Sequence, residues 1–460
     1  MEDISNPRRW VSRSVAVVLT CFALALAGCT SSRSADGKAD PWETIAGRYV
    51  RLVVALGERD PDSLDFAVVS QGLRVEVHAA YPNLGQIGRE AKALRAQVHE
   101  LRIADRTPVD KGLVERGALL EAQLVAIERR VEMLQGQRFP FDDEARFLFA
   151  TTRLTDRSVA ERSRARSSIE SLLPPERRAT HQSSSERYAA YDSGFAVPAE
   201  RLQPVMVAAL AACRERTAAH VSLPANESIE LAFVRNRPWS AFSRYLGSAH
   251  SLIQVNLDFP LTVDEALELA CHEGYPGHHV FNTLHEAAFV QQKRWMEASV
   301  QPTFSPESFL SEAAAAYAPR MVLSDAERAY VERVILFPLA GLPASKADLY
   351  VKISTLVRSL KSAEPSIAQR YVDGDLEFVR AGSALGAEAF MAHPDATLLY
   401  LNEYRSYMLA YTDGEERVSR WVDGGAESGG AARTRSLEDR WSRYRELAIT
   451  PGAQHFLSAE

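Results

Sequence analysis

Cys271-His272-Glu273-Gly274-Tyr275-Pro276-Gly277-His278-His279 is the stretch around which the rest of the chain is read. A histidine and a glutamate stand side by side, and two more histidines follow shortly after. Those residue types are the ones a catalytic zinc site needs: neutral imidazoles to ligate, and a carboxylate to take a proton from bound water. The spacing is not the usual H-E-x-x-H, because the position four beyond His272 is Pro276, which cannot ligate.

On an unbroken helix His278 would lie about 240° round from His272, and His279 would share its face but sit about 10 Å along the axis. Metal–nitrogen bonds of roughly 2.0–2.1 Å allow neither pair to grip one ion. Pro276-Gly277 offers the way out, since proline removes a helical donor and glycine tolerates unusual backbone. The helix is expected to bulge or break there and return one of the later histidines to His272. His278 needs the smaller excursion and is the first choice, with His279 as the alternative.

His272-Glu273-x-x-Pro276-Gly277-His278-His279 resembles the signature of the bacterial family known as domain of unknown function 885. The resemblance implies a zinc-dependent peptidase with the mainly helical, two-lobed layout of the thermostable carboxypeptidases and oligopeptidases. It also implies a third ligand, Glu312, on a helix around Phe309-Leu310-Ser311-Glu312. Here the chain departs from the family: Ala313-Ala314 replace Gly-Trp, and Pro319 replaces a later acidic residue. From composition alone, Glu312 reads equally well as a surface carboxylate on an alanine-rich helix. The likeness is clearest over roughly residues 229–414.

Local signals around the motif agree with it. Ile229, Leu231 and Phe233 alternate along one expected strand, and Ile253, Val255, Leu257 and Phe259 along another. A small antiparallel sheet is expected beside the zinc helix, and its last strand could edge a cleft and pair with a peptide, or be plain scaffold. Thr262-Val263-Asp264-Glu265 reads as a capping box that starts the helix carrying His272 and Glu273. Ser305-Pro306 caps and opens the Glu312 helix. Near the C-terminus Pro394 opens a helix with Tyr400, Tyr404, Tyr407 and Tyr411, a stripe that usually means core packing. A zinc peptidase also needs a donor for the developing oxyanion. Tyr411-x-x-Gly414 resembles the family's closing element, so Tyr411 is the first candidate, followed by Tyr407 and Arg405.

The whole chain sets the limits. At 460 residues, 46% apolar and 25% charged, it can bury a large core. A net charge of −7 provides no basic footprint and argues against nucleic acid as a partner. Arg8, Arg9 and Arg13 precede an apolar run from Val15 to Leu26 that ends in Leu26-Ala27-Gly28-Cys29. This reads as a signal segment over residues 1–28 whose end resembles a lipobox, with lipidation of Cys29. Thr30 after that cysteine favours an outer-membrane anchor facing the periplasm. Residues 29–40 read as a tether, 41–190 as an N-terminal helical lobe and 191–460 as a catalytic lobe.

In the first lobe, Ile87, Leu94, Val98 and Leu101 form one helical stripe, and Leu113, Leu120, Leu124, Ile127, Val131 and Leu134 a longer one. The Arg/Ser-rich residues 153–187 read as a solvated connection, and a helix is expected from Pro198 through Cys213. Cys213 and Cys271 could pair in an oxidising compartment. Cys271 reads more simply as a small apolar residue on the buried face of its helix.

The expectation is therefore a lipid-anchored hydrolase holding one zinc ion and cleaving peptides. Two other readings are a zinc hydrolase of non-peptide amides or esters, and a non-catalytic helical envelope lipoprotein that binds ligands or partners.

Overall fold

The computed structural model describes residues 40–104, 111–156, 158–175, 182–236, 241–424 and 435–457. The signal segment, Cys29 and the tether up to residue 39 lie outside the described residues. The described chain is mainly helical with two small sheets. Among the described residues, no helix is long and apolar enough to cross a membrane.

The two N-terminal stripes form the helices Leu84–Ala104 and Lys111–Leu134. Their buried edges, Ile87, Leu94 and Val98 on one and Leu120, Leu124 and Ile127 on the other, share a core with the helix Pro41–Gly57. Each fully buried side chain of this kind contributes roughly 1.5–3 kcal/mol. The Arg/Ser-rich stretch is not the open connection its charge suggests. Its described parts form the helices Val159–Leu172 and Ser184–Asp192. Ala165, Ile169 and Leu173 give it a narrow apolar edge that packs with Tyr188, Ile353 and Phe390.

A second core surrounds the motif helix. The helix Ala199–Ala218 begins directly after Pro198, as expected, and runs on past Cys213. It packs Val205, Met206 and Ala209 against Val263, Ala266 and Leu267 of the helix Val263–Glu273. Cys213 and Cys271 form a disulfide between these two helices, so the reading of Cys271 as a plain apolar residue is corrected. Both are buried on the shared face, which places their sulfur atoms together.

The sheet beside this helix has strands β2 (Ser228–Val234), β3 (Ala241–Gly247) and β4 (His250–Asn256), in the order β2-β4-β3. It is mixed rather than antiparallel throughout: β3 and β4 form an antiparallel hairpin, and β2 lies parallel to β4. The tight turn through Gly247, Ser248 and Ala249, all at positive φ, commits one edge of β4 to β3 and leaves the other to β2. The strand that precedes the motif helix is thus central and paired on both sides. Its backbone cannot receive an extended peptide, and β2 and β3 hold the two edges. Leu257 and Phe259 lie beyond β4, because Phe259 N turns back to donate to the Asn256 carbonyl.

A two-stranded ribbon was not expected from the sequence. In it β1 (Leu64–Ala67) pairs antiparallel with β5 (Val300–Pro302). Strands of four and three residues are too short to show a period of two.

Candidate metal centre

The motif helix starts where its capping box predicts. Thr262 Oγ1 accepts from Glu265 N, and the Glu265 carboxylate accepts from Thr262 N. The helix ends at Glu273. Gly274 N makes the last helical hydrogen bond, to the Ala270 carbonyl, and residues 274–277 loop out before a new helix runs His278–His285. Gly277 N returns to donate to the Cys271 carbonyl across 3.0 Å. A break at Pro276-Gly277 is therefore what brings the second helix back against the first.

His272 and His278 meet across the break with ring centroids 4.9 Å apart, and both keep partial access to solvent. Glu312 reaches them from the helix Pro306–Val322, which starts with Pro306 in its first turn and Ser305 Oγ accepting from Ser308 N. One Glu312 oxygen lies 3.0 Å from His272 Nε2 and the other 3.3 Å from His278 Nε2. Ligand atoms of these three residues all fall within 4.8 Å of one another. His278 Nδ1 faces Ser311 Oγ at 3.3 Å. The Tyr444 hydroxyl sits 2.9 Å from the Ala314 carbonyl and 3.4 Å from that of Pro276, tying the Glu312 helix to the loop.

The donor set suits a metal ion. Two imidazoles and a carboxylate are the ligands of an open tetrahedral zinc site, in which they would stand roughly 3.3–3.5 Å apart. Glu312 Oε1 is buried and forms no well-aligned hydrogen bond among the described residues, although His272 Nε2 lies 3.0 Å away, and such a carboxylate oxygen is costly unless a cation meets it. Electrostatics agree. Burial opposes ionisation of Glu312, yet His278 and His272 outweigh it and hold the carboxyl well below the usual range. Burial likewise disfavours the His278 cation, but Glu312, Glu273 and Asp65 raise it to about 9.

His279 does not join this cluster. It is fully buried, with Nδ1 2.8 Å from Ser251 Oγ on β4 and Nε2 3.0 Å from a Glu227 oxygen. Glu227 also accepts from Tyr275 OH at 2.7 Å and pairs with Arg214 at 2.7 Å. This network holds the 274–277 loop through Tyr275. The choice the sequence left open between the two histidines thus has a geometric answer: His278 faces Glu312 and His279 faces the sheet.

Glu273 is buried beside the cluster. Burial, with help from Glu312, raises its pKa against the pull of His272 and His278. The tyrosines divide. Tyr407 is committed to the Glu312 helix, its hydroxyl 2.9 Å from Ser308 Oγ and 3.3 Å from Glu312 Oε2. Tyr411 stacks on His272 with centroids 6.3 Å apart, and its hydroxyl lies 3.4 Å from that of Tyr400. Burial and the nearby Glu312 keep both of those phenols protonated, hence available as donors. Arg405 is directed elsewhere. The helix Pro394–Tyr404 ends at Arg405, where φ is 47°, and its guanidinium pairs with buried Glu144 at 2.6 Å. Gly414 is required by packing, since a Cβ there would fall 2.8 Å from that of Ala313 on the Glu312 helix.

Sequence reasoning missed Asp65, Glu227 and Tyr400. Tyr400 had the same spacing signal as its neighbours, but isolated acids, Asp65 in a short strand and Glu227 just before one, carry none. Asp65, on β1, accepts from Gln301 Nε2 at 3.0 Å. Burial is the main cause that raises its pKa to about 6; His278 opposes this, and Glu312 and Glu273 reinforce it.

No family model matches the chain, and no curated protein matches it. Among solved structures it is similar to a candidate lipoprotein from Colwellia psychrerythraea, at 13% identity and TM-score 0.48 over 84% of this chain and 72% of that one. It is similar to a candidate lipoprotein of unknown function from Shewanella oneidensis, at 13% identity and TM-score 0.47 over 89% and 82%. An M32 carboxypeptidase from Deinococcus radiodurans R1 also matches, at 13% identity and TM-score 0.38 over 90% of each chain. Likeness at this level says nothing about what the site does.

Proposed function

We propose that this chain is a metal-dependent hydrolase with peptides as its substrate class, held at the cell envelope by a lipid on Cys29, on the periplasmic side of the outer membrane. The observation that carries the reading is the convergence of His272, His278 and Glu312 beside buried Glu273. His272, His278 and Glu312 would hold one ion, zinc being the natural choice for two imidazoles and a carboxylate, and leave a fourth position to water. When bound, the ion supplies a water of pKa near 7 and polarises the scissile carbonyl.

The chain's own groups account for the remaining steps. Glu273 accepts the proton of the attacking water on its carboxylate and delivers it to the leaving amine; burial, by raising its proton affinity, suits it to both transfers. The Tyr411 hydroxyl, backed by Tyr400, is the donor for the oxyanion. Tyr407 orients Glu312 instead, and Arg405 takes no part.

The test is elemental analysis of residues 30–460 purified without chelator, followed by incubation with a mixed peptide library and mass spectrometry. About one zinc per chain and defined cleavage products are expected. A folded chain that stays metal-free in added zinc overturns the reading.

A further inference from the structure

We propose that the cavity enclosed by β1, β3 and the helix His278–His285 binds a primary alkylammonium group, held between Glu286 and Asn282. The inference does not need the metal-hydrolase reading, although one of the two sources of such a group does.

The cavity measures about 80 Å³. A water needs roughly 10–15 Å³ by this measure, so the space takes several waters or the end of an alkyl chain. Its walls are apolar: the rings of Phe66 and Tyr245, with centroids 5.7 Å apart, together with Val290 and Ala298. Val68 also lines it and is 45% exposed, so the cavity opens to solvent on that side.

The polar groups in this apolar space are acceptors. Asn282 is only 6% exposed, and its Oδ1 is buried with no hydrogen-bond partner among the described residues. Glu286 N donates to the Asn282 carbonyl, so the two residues stand one helical turn apart and their side chains share a face. The Glu286 carboxylate accepts from the Tyr245 hydroxyl and, across 3.1 Å, from Ser248 N. That leaves part of its acceptor capacity, which is about four positions, turned to the cavity it lines. Among the described residues no lysine, arginine or histidine pairs with it. His285 stands at the same cavity, but its Nε2 meets Glu307, so any charge on that imidazole is balanced there.

An orphaned buried acceptor beside a carboxylate without a counter-ion is costly unless a cationic donor meets both. An ammonium has three donors and no acceptor, enough to reach Asn282 Oδ1 and Glu286 together. Its alkyl chain would lie against Phe66 and Tyr245, whose ring faces attract a cation. An anion would meet Glu286, and a neutral alcohol would leave the carboxylate uncompensated. Two sources carry this chemistry. One is a free amine. The other, which rests on the hydrolase reading, is a lysine side chain of a peptide at the metal, since His278 precedes Asn282 by one turn of the same helix, about 6 Å along its axis.

The test is methyl NMR on residues 30–460 labelled at valine, run with and without zinc, with n-butylammonium and 1-butanol titrated at fixed ionic strength. n-Butylammonium should shift Val68 and Val290 together and saturate at one site per chain. It should bind about 10- to 100-fold more tightly than 1-butanol, as a hydrogen bond to a charged group allows. Glu286→Gln keeps the shape of the side chain and should abolish that preference. Asn282→Leu removes the acceptor without opening space and should weaken n-butylammonium by about 10-fold. Nα-acetyl-lysine methylamide bound as tightly as n-butylammonium assigns the group to a peptide side chain; bound about 10-fold more weakly, it leaves a free amine. Equal affinity for n-butylammonium and 1-butanol, no saturating shift at the two valines, or unchanged binding in either variant that folds overturns the site. A chain that takes up no zinc overturns the hydrolase reading alone, because neither Glu286 nor Asn282 belongs to the metal cluster.

Discussion

Gly277 lies so close to His272 that a Cβ built on it would fall 1.7 Å from the His272 carbonyl oxygen and 2.6 Å from that of Cys271. The neighbours in question are backbone atoms of the ligand-bearing helix and cannot swing aside. Gly277→Ala should therefore push the His278 helix away from His272. The expected outcome is loss of at least nine-tenths of bound zinc with the helical circular dichroism largely kept. A variant with wild-type zinc content would show that the loop has another way to close.

The two histidines of the pair should separate cleanly. His278→Ala removes a donor that faces Glu312, whereas His279→Ala removes one that faces Ser251 and Glu227. Elemental analysis should find His278→Ala nearly zinc-free. His279→Ala should keep close to one zinc per chain but unfold more readily, by about 1–3 kcal/mol for the buried partners left unpaired. The opposite pattern would reassign the ligand.

Glu273 acts on the water rather than on the metal in this scheme. Glu273→Gln keeps the shape and should keep zinc, while peptide turnover falls by about 100-fold or more, the scale of a lost general base. Zinc content and the initial rate on any cleaved peptide, measured on one preparation, decide it. Full activity in Glu273→Gln would end that assignment.

The parts legible in the sequence were those with local causes. The capping box at Thr262, the proline start at Pro306 and the break at Pro276-Gly277 each follow from the backbone chemistry of a few neighbouring residues, and each stands where it was expected. The parts that were not legible depend on distant chain. Asp65 belongs to a strand of four residues whose partner lies more than two hundred residues on. Glu227 is a lone acid until Tyr275, Arg214 and His279 surround it. Arg405 misled because the tyrosine spacing implied one continuous helix, and the helix stops there. Mixed pairing of β2 was hidden for a similar reason, since alternation reveals a strand's faces but not its direction.

The disulfide should matter for stability more than for chemistry. Cys213 and Cys271 are 58 residues apart, and closing a loop of that length removes unfolded-state entropy worth about 4 kcal/mol in the simplest treatment. Replacing both by serine should lower the urea midpoint by an amount equivalent to roughly 2–4 kcal/mol, while zinc binding at saturating metal persists. Unchanged stability would mean that the helix packing around Leu267 and Met206 already fixes this pair.

Strong acid should loosen the loop clamp. Burial works against the charge of Glu227, but hydrogen bonds from His279, Tyr275 and Arg214 prevail and lower its pKa to about 2. A carboxylate whose folded pKa is depressed stabilises the fold above its unfolded value, near 4.3, and loses that contribution as pH falls towards 2. Other carboxylates titrate over the same window, so the informative quantity is a difference. Urea unfolding of the wild type and of Glu227→Gln, both free of metal, should differ most at pH 6–7 and converge between pH 4 and pH 2. A gap that stays constant across that range would mean that Glu227 holds the loop by shape, with its charge making no contribution.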